Sequence, residues 1–244
     1  MAKMSKIRDL KDVLIKVLSS RDITHGLARA CRRLQKEIVL YENHVKGKDE
    51  LAKLELKFQT RKVQIGGGSH VLAGYLNIDI CPPADVVFDI REYIPLQDST
   101  VDHIFSEHFL EHIDYPVSVK KFVSECYRVL KQGGELILGV PDGELILNKY
   151  VERDVDFYKK MISKWYSKRS CLGDFNTYID LVNYHFRDQD DDDIYTPHLW
   201  TYDFEKMEFL LKSVGFKTVG LWNFDETIAN PKREWASLYV IAKK

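Results

Sequence analysis

The chain has 244 residues, of which 45% are hydrophobic and 30% are charged, a composition that is typical of one folded core and excludes a largely disordered protein. The formal net charge of −1 at pH 7 argues against a general nucleic-acid-binding protein, so no nucleic-acid partner is expected. No apolar run reaches the roughly 20 residues that cross a bilayer, and the four cysteines form no C-x-x-C pair, so we expect a cytoplasmic protein without a disulfide framework or a zinc cluster.

Residues 1–60 are predicted to form a helical N-terminal extension. Apolar residues recur there with the period of a helix, for example at Ile7, Leu10, Leu14 and Val17, and lysine and arginine outnumber the acidic residues. We expect these helices to pack on the core or to form a dimer contact. Because a basic amphipathic helix can also lie on anionic lipid, a peripheral membrane contact is the alternative.

Residues 61–244 are predicted to form a Rossmann-like α/β domain. Short β-rich runs alternate with turns and helical stretches, which indicates a doubly wound, mostly parallel sheet of seven strands. The expected strands are 63–65, 75–79, 85–89, 101–106, 135–140, 216–222 and 237–242. Amphipathic helices are expected before Gly133-Gly134, which should stop the first of them, and before Gly215.

An insert follows the fifth strand over residues 144–200. It has a helical stretch of its own and many aromatic residues, which favours a small packed lid. The acidic run over 188–193 could offer oxygen ligands to a divalent cation, but contiguous side chains rarely point at one ion, so a solvated loop is expected there.

A glycine-rich segment marks the predicted cofactor site. An apolar strand ends in Gly66-Gly67-Gly68, where backbone without Cβ atoms can turn sharply against a ligand at the carboxyl end of the first strand. The second strand ends in Asp79, whose carboxylate can accept hydrogen bonds from both hydroxyls of a ribose. The third strand ends in Asp89, a second acid suited to an adenine amino group.

Three stretches of this chain resemble the class I S-adenosylmethionine-dependent methyltransferases, in particular the UbiE-related or type 11 group. They are Gln64 to Ser69, Ile94 to Asp102 leading to Leu110-Glu111-His112, and Glu125 to Leu136 with its Gly-Gly turn. The resemblance covers roughly 63–140 and 201–244, and the last stretch is its most specific part.

The resemblance implies that S-adenosylmethionine is the cofactor and S-adenosylhomocysteine the product. It places the glycines 66–68 near the methionine part, Asp79 and Ile80 at the ribose, Asp89 and Ile90 at the adenine, and Glu107 beside the cofactor at the end of the fourth strand.

Two departures from the family pattern lie at the first strand. The family usually has an acid at the position of Gln64, and Asp79 follows Gly66 by only thirteen positions, so the helix that normally lies between them must be short or missing. Residues 69–74 should therefore form a compact turn that brings His70 near the cofactor.

Other chemistries are weighed against methyl transfer. A dinucleotide-dependent oxidoreductase would need G-x-G-x-x-G, but Val71 occupies the third glycine position. The segment from His108 to His112 fits the H-x-x-E-H zinc-peptidase pattern, yet only one or two helical turns fit before Pro116, so no metal site is predicted. A non-catalytic, S-adenosylmethionine-binding regulatory protein is the main alternative.

The predicted catalytic residues follow the fourth and fifth strands: His108, His112 and Asp142. A methyltransferase aligns the acceptor atom with the methyl group, and a general base is needed only for a weakly acidic hydroxyl or a protonated amine. Since the charge is near zero, we expect the acceptor to be an oxygen or nitrogen of a small molecule or glycan. Histidines of the insert, His185 and His198, and Tyr195 could contribute to its pocket.

Overall fold

A computed structural model gives the structure of the protein and describes residues 2–54, 61–166, 173, 176–187 and 197–244. The strands are β1 (Lys62–Ile65), β2 (Leu76–Asp79), β3 (Val86–Val87), β4 (Val101–Glu107), β5 (Leu130–Pro141), β6 (Thr218–Leu221) and β7 (Ser237–Lys243). The α-helices are α1 (Ala2–Leu18), α2 (His25–Leu54), α3 (Val117–Val129), α4 (Gly143–Glu152), α5 (Val155–Met161), α6 (Tyr178–Phe186) and α7 (Phe204–Val214).

The seven strands form one sheet in the order β3-β2-β1-β4-β5-β7-β6, which confirms the predicted mostly parallel, Rossmann-like sheet. The strands from β3 to β5 are parallel, and β7 runs antiparallel between β5 and β6. The carboxyl ends of β1, β2, β4 and β5 therefore meet at one edge of the sheet. Because β7 is antiparallel, the connection from β6 to β7 also ends at that edge.

One face of the sheet carries a continuous apolar row. In register across the strands this row is Leu76, Val63, Ile104, Leu136 and Ala242, all buried. Helices α3 and α7 contact each other and bury their apolar residues against this face, and the two sets of side chains form the largest hydrophobic cluster of the described chain.

Helix α3 ends before the predicted glycine stop. Its last residue is Val129, Leu130 is already extended, and Gly133 lies inside β5 with φ of 76°. The Nζ atom of Lys244 donates to the carbonyls of Tyr127 at 2.6 Å and Leu130 at 2.7 Å. These bonds satisfy carbonyl groups at the helix end, so the glycines are not needed to end it.

The other face of the sheet is partly polar. The paired row there begins with Asn77 and Gln64 and continues with Phe105, Ile137 and Ile241. The apolar part of this row is covered by Leu72 and by side chains of the β6–β7 connection, including Trp222 and Phe224. No helix lies between Ile65 and Leu76, which confirms the predicted compact turn.

The N-terminal helices pack on each other and on the sheet. Leu14 of α1 is buried against Cys31 and Ile38 of α2, and α2 contacts β3. Other apolar residues of this pair are exposed, among them Val13 and Ile15. Whether these cover a second copy or a membrane surface stays a prediction. In the described part of the chain, every helix is too short or too polar to span a bilayer.

The docking of α2 should depend on Gly47. A Cβ atom at this position would lie 1.7 Å from the carbonyl oxygen of Val87, so Gly47→Ala must push the helix away from β3. We expect a loss of roughly 1–3 kcal/mol in the free energy of unfolding, as for other overpacked contacts. Gly26→Ala is the matched control in the same helix, because a Cβ atom at Gly26 meets no atom within 4 Å. Equal urea midpoints for the two variants would contradict the close contact.

Candidate active site

The candidate site lies at the sheet edge where the carboxyl ends of the parallel strands meet. Three structural elements contribute to it: the glycine turn after β1, the acids that end β2 and β4, and the segment after β4. Two further elements border it, namely α2 and residues 228–233 of the β6–β7 connection. In open α/β sheets ligands bind at this edge.

The glycine turn is shaped by conformations that favour glycine. Gly66 and Gly68 have φ of 66° and 56°, in the left-handed region. A Cβ atom at Gly66 would lie 2.6 Å from the ring of Phe109, so this position has no room for a side chain. The Gly66 N–H donates to the Ile78 carbonyl at 3.0 Å, which fixes the turn to β2.

Gln64 holds the rest of the turn. Its buried side-chain amide donates from Nε2 to the His70 carbonyl at 2.6 Å, and its Oε1 accepts the Leu72 N–H at 2.8 Å. Asn77 accepts the same N–H at 3.1 Å and donates to the Leu72 carbonyl at 3.2 Å. An amide can donate and accept at once, and a carboxylate cannot, which explains why the usual acid is replaced here.

Asp79 presents a preoriented carboxylate. Its Oδ2 accepts the Gly68 N–H and its Oδ1 accepts the Cys81 N–H, both at 2.9 Å. Each oxygen has a further lone pair, so the carboxylate can still accept hydrogen bonds from the two hydroxyls of a ribose. These acceptor oxygens fit the ribose of the predicted cofactor, and the residue is 9% exposed.

After β3, the Asp89 carboxylate that was predicted to face the adenine is bound by an arginine. Arg91 binds the Asp89 carboxylate through Nε at 2.9 Å and Nη2 at 2.7 Å, and the same guanidinium reaches Glu37 of α2 at 3.0 Å. The bond with Asp89 raises the pKa of Arg91. Ile90 is buried in the largest hydrophobic cluster, and its place at the adenine stays a prediction.

Helix α2 supplies contacts here that the sequence did not predict. The Asn43 amide donates to the Ile80 carbonyl at 3.0 Å, and the Asp89 N–H donates to Nδ1 of His44 at 3.2 Å. The His44 ring also packs on Phe88, with ring centroids 4.5 Å apart. No periodicity or motif in the N-terminal region signals these pairings, because they join residues about 40 positions apart.

Glu107 is bound by the β6–β7 connection. Its buried carboxylate accepts from the Tyr239 hydroxyl at 2.5 Å and from the Asn230 N–H at 3.2 Å, and Arg233 donates to its carbonyl at 2.9 Å. Burial and this hydrogen bond raise the pKa of Tyr239. The connection also meets the glycine turn, since His70 Nε2 lies 3.4 Å from the Ile228 carbonyl.

His108 and Glu111 lie together after β4. His108 has φ of 50°, uncommon for a non-glycine residue, and its Nε2 lies 2.8 Å from the Ser237 hydroxyl. Its Nδ1 lies 3.4 Å from Oε1 of Glu111. Burial lowers the pKa of His108 well below the usual value and raises the pKa of Glu111, so burial favours the neutral form of each.

His112 lies on the single 3₁₀ turn Leu110–His112, and the insert adds a further histidine. The ring centroids of His112 and His198 are 4.9 Å apart, and Nδ1 of His198 lies 2.6 Å from the His185 carbonyl. His185 is buried, its Nδ1 lies 2.7 Å from the Tyr166 hydroxyl, and burial lowers its pKa to about 3. Tyr195 and the acidic run 188–193 lie outside the described residues.

The Asp142 side chain caps a helix. Among the described residues it makes no hydrogen bond to these histidines. Its Oδ1 accepts the Leu145 N–H at 2.9 Å as the N-cap of α4, and its own N–H donates to the Ala236 carbonyl. The helices of the insert form a separate hydrophobic cluster that includes Tyr158 and Met161. A catalytic role for Asp142 stays a prediction, and its position is explained by capping alone.

Comparisons with known proteins show what this chain is similar to. A family model described as a methyltransferase domain matches residues 66–138, from the glycine turn to the middle of β5. An uncharacterized protein of Methanocaldococcus jannaschii is 30% identical over 145 residues, which cover 54% of this chain and 67% of that relative.

Solved structures of similar fold have low sequence identity. A Methanosarcina mazei S-adenosylmethionine-dependent methyltransferase has a TM-score of 0.47 at 18% identity, covering 75% of this chain and 91% of that one. An Archaeoglobus fulgidus S-adenosylmethionine-dependent methyltransferase has a TM-score of 0.43 at 17% identity, covering 81% and 94%. Haemonchus contortus phosphoethanolamine N-methyltransferase 2, solved with S-adenosylmethionine, has a TM-score of 0.40 at 15% identity, covering 82% and 52%.

The role of Gln64 leads to a prediction about charge. Gln64→Glu places a carboxylate oxygen against the His70 carbonyl, which loses a hydrogen bond and buries an unpaired charge. We expect unfolding at pH 8 to require roughly 2–4 kcal/mol less than in the wild type. The loss should shrink as the pH falls, because burial raises the pKa of the new carboxyl and its protonated form can donate.

Urea denaturation at several pH values measures this loss, with Gln97→Glu as the control at an exposed position. If Gln64→Glu were as stable as Gln97→Glu at pH 8, the amide would not be what holds the turn.

Proposed function

We propose that this chain, which belongs to the class I S-adenosylmethionine-dependent methyltransferases, transfers a methyl group to an oxygen or nitrogen of a small molecule or glycan. When bound, S-adenosylmethionine supplies an electrophilic methyl group on a sulfonium. The chain has to hold the cofactor, orient the acceptor and exclude water. The observation that carries the proposal is the preoriented Asp79 carboxylate beside the glycine turn after β1, with the His108 imidazole, 15% exposed, just after the neighbouring strand β4.

Cofactor binding is assigned to the glycine turn and Asp79. The two backbone N–H groups that Asp79 accepts fix its carboxylate before a ligand arrives, so little side-chain entropy is lost on binding. Glu107 accepts hydrogen bonds from Tyr239 of β7 and from Asn230 of the β6–β7 connection, so it can hold that connection at the cofactor edge, and its place beside the cofactor stays a prediction. The match to a methyltransferase model favours this cofactor over a dinucleotide.

His108 is the proposed general base for the acceptor. A base must be unprotonated, and the depressed pKa keeps the His108 imidazole neutral at physiological pH. In its ionised form, Glu111 near Nδ1 would stabilise the imidazolium that forms when Nε2 takes a proton, as a carboxylate does in other histidine-dependent sites. The Ser237 hydroxyl at Nε2 occupies the position that an acceptor hydroxyl or amine would take.

The insert is the proposed lid and acceptor pocket. Trp165 stacks on the His185 ring with centroids 5.5 Å apart, and the exposed Trp200 stacks on Tyr115 at 4.6 Å. Aromatic faces next to imidazoles suit a flat or sugar-like acceptor.

A cytoplasmic location is proposed on the grounds that Cys31, Cys81 and Cys126 are free thiols.

Calorimetric titration with S-adenosylmethionine and S-adenosylhomocysteine tests the cofactor site. Asp79→Asn keeps the shape of the side chain but removes the charge and one acceptor oxygen, so the Kd for both ligands should rise roughly 10- to 100-fold. Asp156→Asn, at an almost fully exposed aspartate, is the control and should keep the wild-type Kd. Wild-type protein that binds neither ligand would refute the assignment.

Methyl transfer to a panel of phenols, sugars and amines tests the base. With the best acceptor, His108→Gln should lower kcat by roughly 100-fold or more while the cofactor Kd stays unchanged. His103→Gln, on the same strand but outside the site, is the control. Unchanged kcat in His108→Gln would rule out this base, and cofactor binding without turnover on any acceptor would support a regulatory, non-catalytic protein.

A further inference from the structure

Glu111 has a buried carboxyl group that receives no hydrogen bond from the described residues. Its side chain is 1% exposed, and neither carboxylate oxygen has a hydrogen-bond partner among the described residues. Glu107, four positions earlier, is equally buried but accepts bonds from Tyr239 and Asn230. A buried carboxylate without donors is costly, so a cation or a proton must compensate it.

Three imidazoles surround this carboxylate. His108 Nδ1 and His112 Nε2 lie 3.4 Å and 3.9 Å from Oε1 of Glu111. The ligand atoms of Glu111, His112 and His198 all lie within 4.8 Å of one another. This set crosses from the turn after β4 to the end of the insert, and the Leu199 N–H fixes the two segments together by donating to the Glu111 carbonyl at 2.6 Å.

The orientation of His198 suits a metal ligand. A carbonyl oxygen can only accept, so Nδ1 of His198 carries the proton in its 2.6 Å bond to the His185 carbonyl. The lone pair of the ring is then on Nε2. Metal-binding histidines characteristically donate their other N–H to a backbone carbonyl or a carboxylate in this way.

We propose that Glu111, His112 and His198 form a binding site for a divalent first-row transition ion such as Zn²⁺, Mn²⁺ or Fe²⁺. Two imidazoles and one carboxylate are a ligand set that these ions prefer, whereas Mg²⁺ prefers oxygen ligands alone. Three protein ligands leave an open coordination position. No zinc site was predicted from the H-x-x-E-H pattern, for want of a long helix. No motif signals the set proposed here, because His198 follows His112 by 86 positions.

The surroundings agree with this assignment. The ion would balance the buried charge of Glu111, whose two carboxylate oxygens accept no hydrogen bond from the described residues. His108 is close to this site, since its Nδ1 lies 3.4 Å from Oε1 of Glu111, so an acceptor oxygen or nitrogen bound to the ion would lie near the proposed base. That role in orienting the acceptor rests on the proposed function, whereas ion binding itself does not.

Metal binding is measured on the tag-free full chain after treatment with a chelator, without cofactor or acceptor. Titration with ZnCl₂ should give one ion per chain with a Kd on the order of 1 μM or tighter. CoCl₂ should give visible absorption bands of a low-coordinate site, and MgCl₂ should bind far more weakly. A failed methyltransferase assay would leave this result untouched, so the two proposals fail separately.

Three variants locate the site. Glu111→Gln and His198→Gln should each weaken Zn²⁺ binding at least about 100-fold, since even outer ligand partners change affinity 10- to 100-fold. His25→Gln, at an exposed histidine of α2, is the control and should bind as the wild type does.

Thermal melting separates a lost ligand from a damaged fold. In chelator, Glu111→Gln should melt at or above the wild-type temperature, because it removes an uncompensated buried charge. Zn²⁺ should raise the melting temperature of the wild type and of His25→Gln but not of Glu111→Gln. Wild-type protein without stoichiometric Zn²⁺ binding, or binding that persists in both Glu111→Gln and His198→Gln, would overturn the proposal.

Discussion

The short connection between β1 and β2 is the constraint on which the cofactor edge depends. Ten residues join the two strands, which leaves no room for the helix that usually covers this face of the sheet. The buried amides of Gln64 and Asn77 replace that helix by satisfying backbone groups of the turn directly. Polar side chains are therefore required on a sheet face that would otherwise be apolar.

A second consequence follows at the centre of the sheet, on β4 and β5. Because the turn is small, Phe105 and Ile137 must be covered from elsewhere, and residues of the β6–β7 connection pack on them. That connection then continues across the strand ends, where it reaches His70 and binds the Glu107 carboxylate. The amide at Gln64, where the family usually has an acid, follows from the missing helix. The position of the β6–β7 connection follows from it as well.

Much of the sheet could be predicted from the sequence, because strands and glycine turns are signalled by neighbouring residues. The strand ends at Asp79 and Glu107 and the compact turn follow from local pattern. The contacts of Arg91 with Glu37 and of Asn230 with Glu107 join residues 54 and 123 positions apart, and no local signal specifies them. The early end of α3 was missed for the same reason, since its carbonyls are satisfied by Lys244 at the end of the chain.

The two buried glutamates show how environment assigns different tasks to one residue type. Glu107 receives a hydroxyl and a backbone N–H, so its charge is satisfied by the fold and it serves to position the β6–β7 connection. Glu111 is oriented toward imidazoles, which are acceptors or weak donors when neutral, so the fold alone leaves its charge uncompensated. Such a cost can be retained where a ligand offsets it, and this contrast in donors is the reason that we propose ligand binding at Glu111 rather than at Glu107.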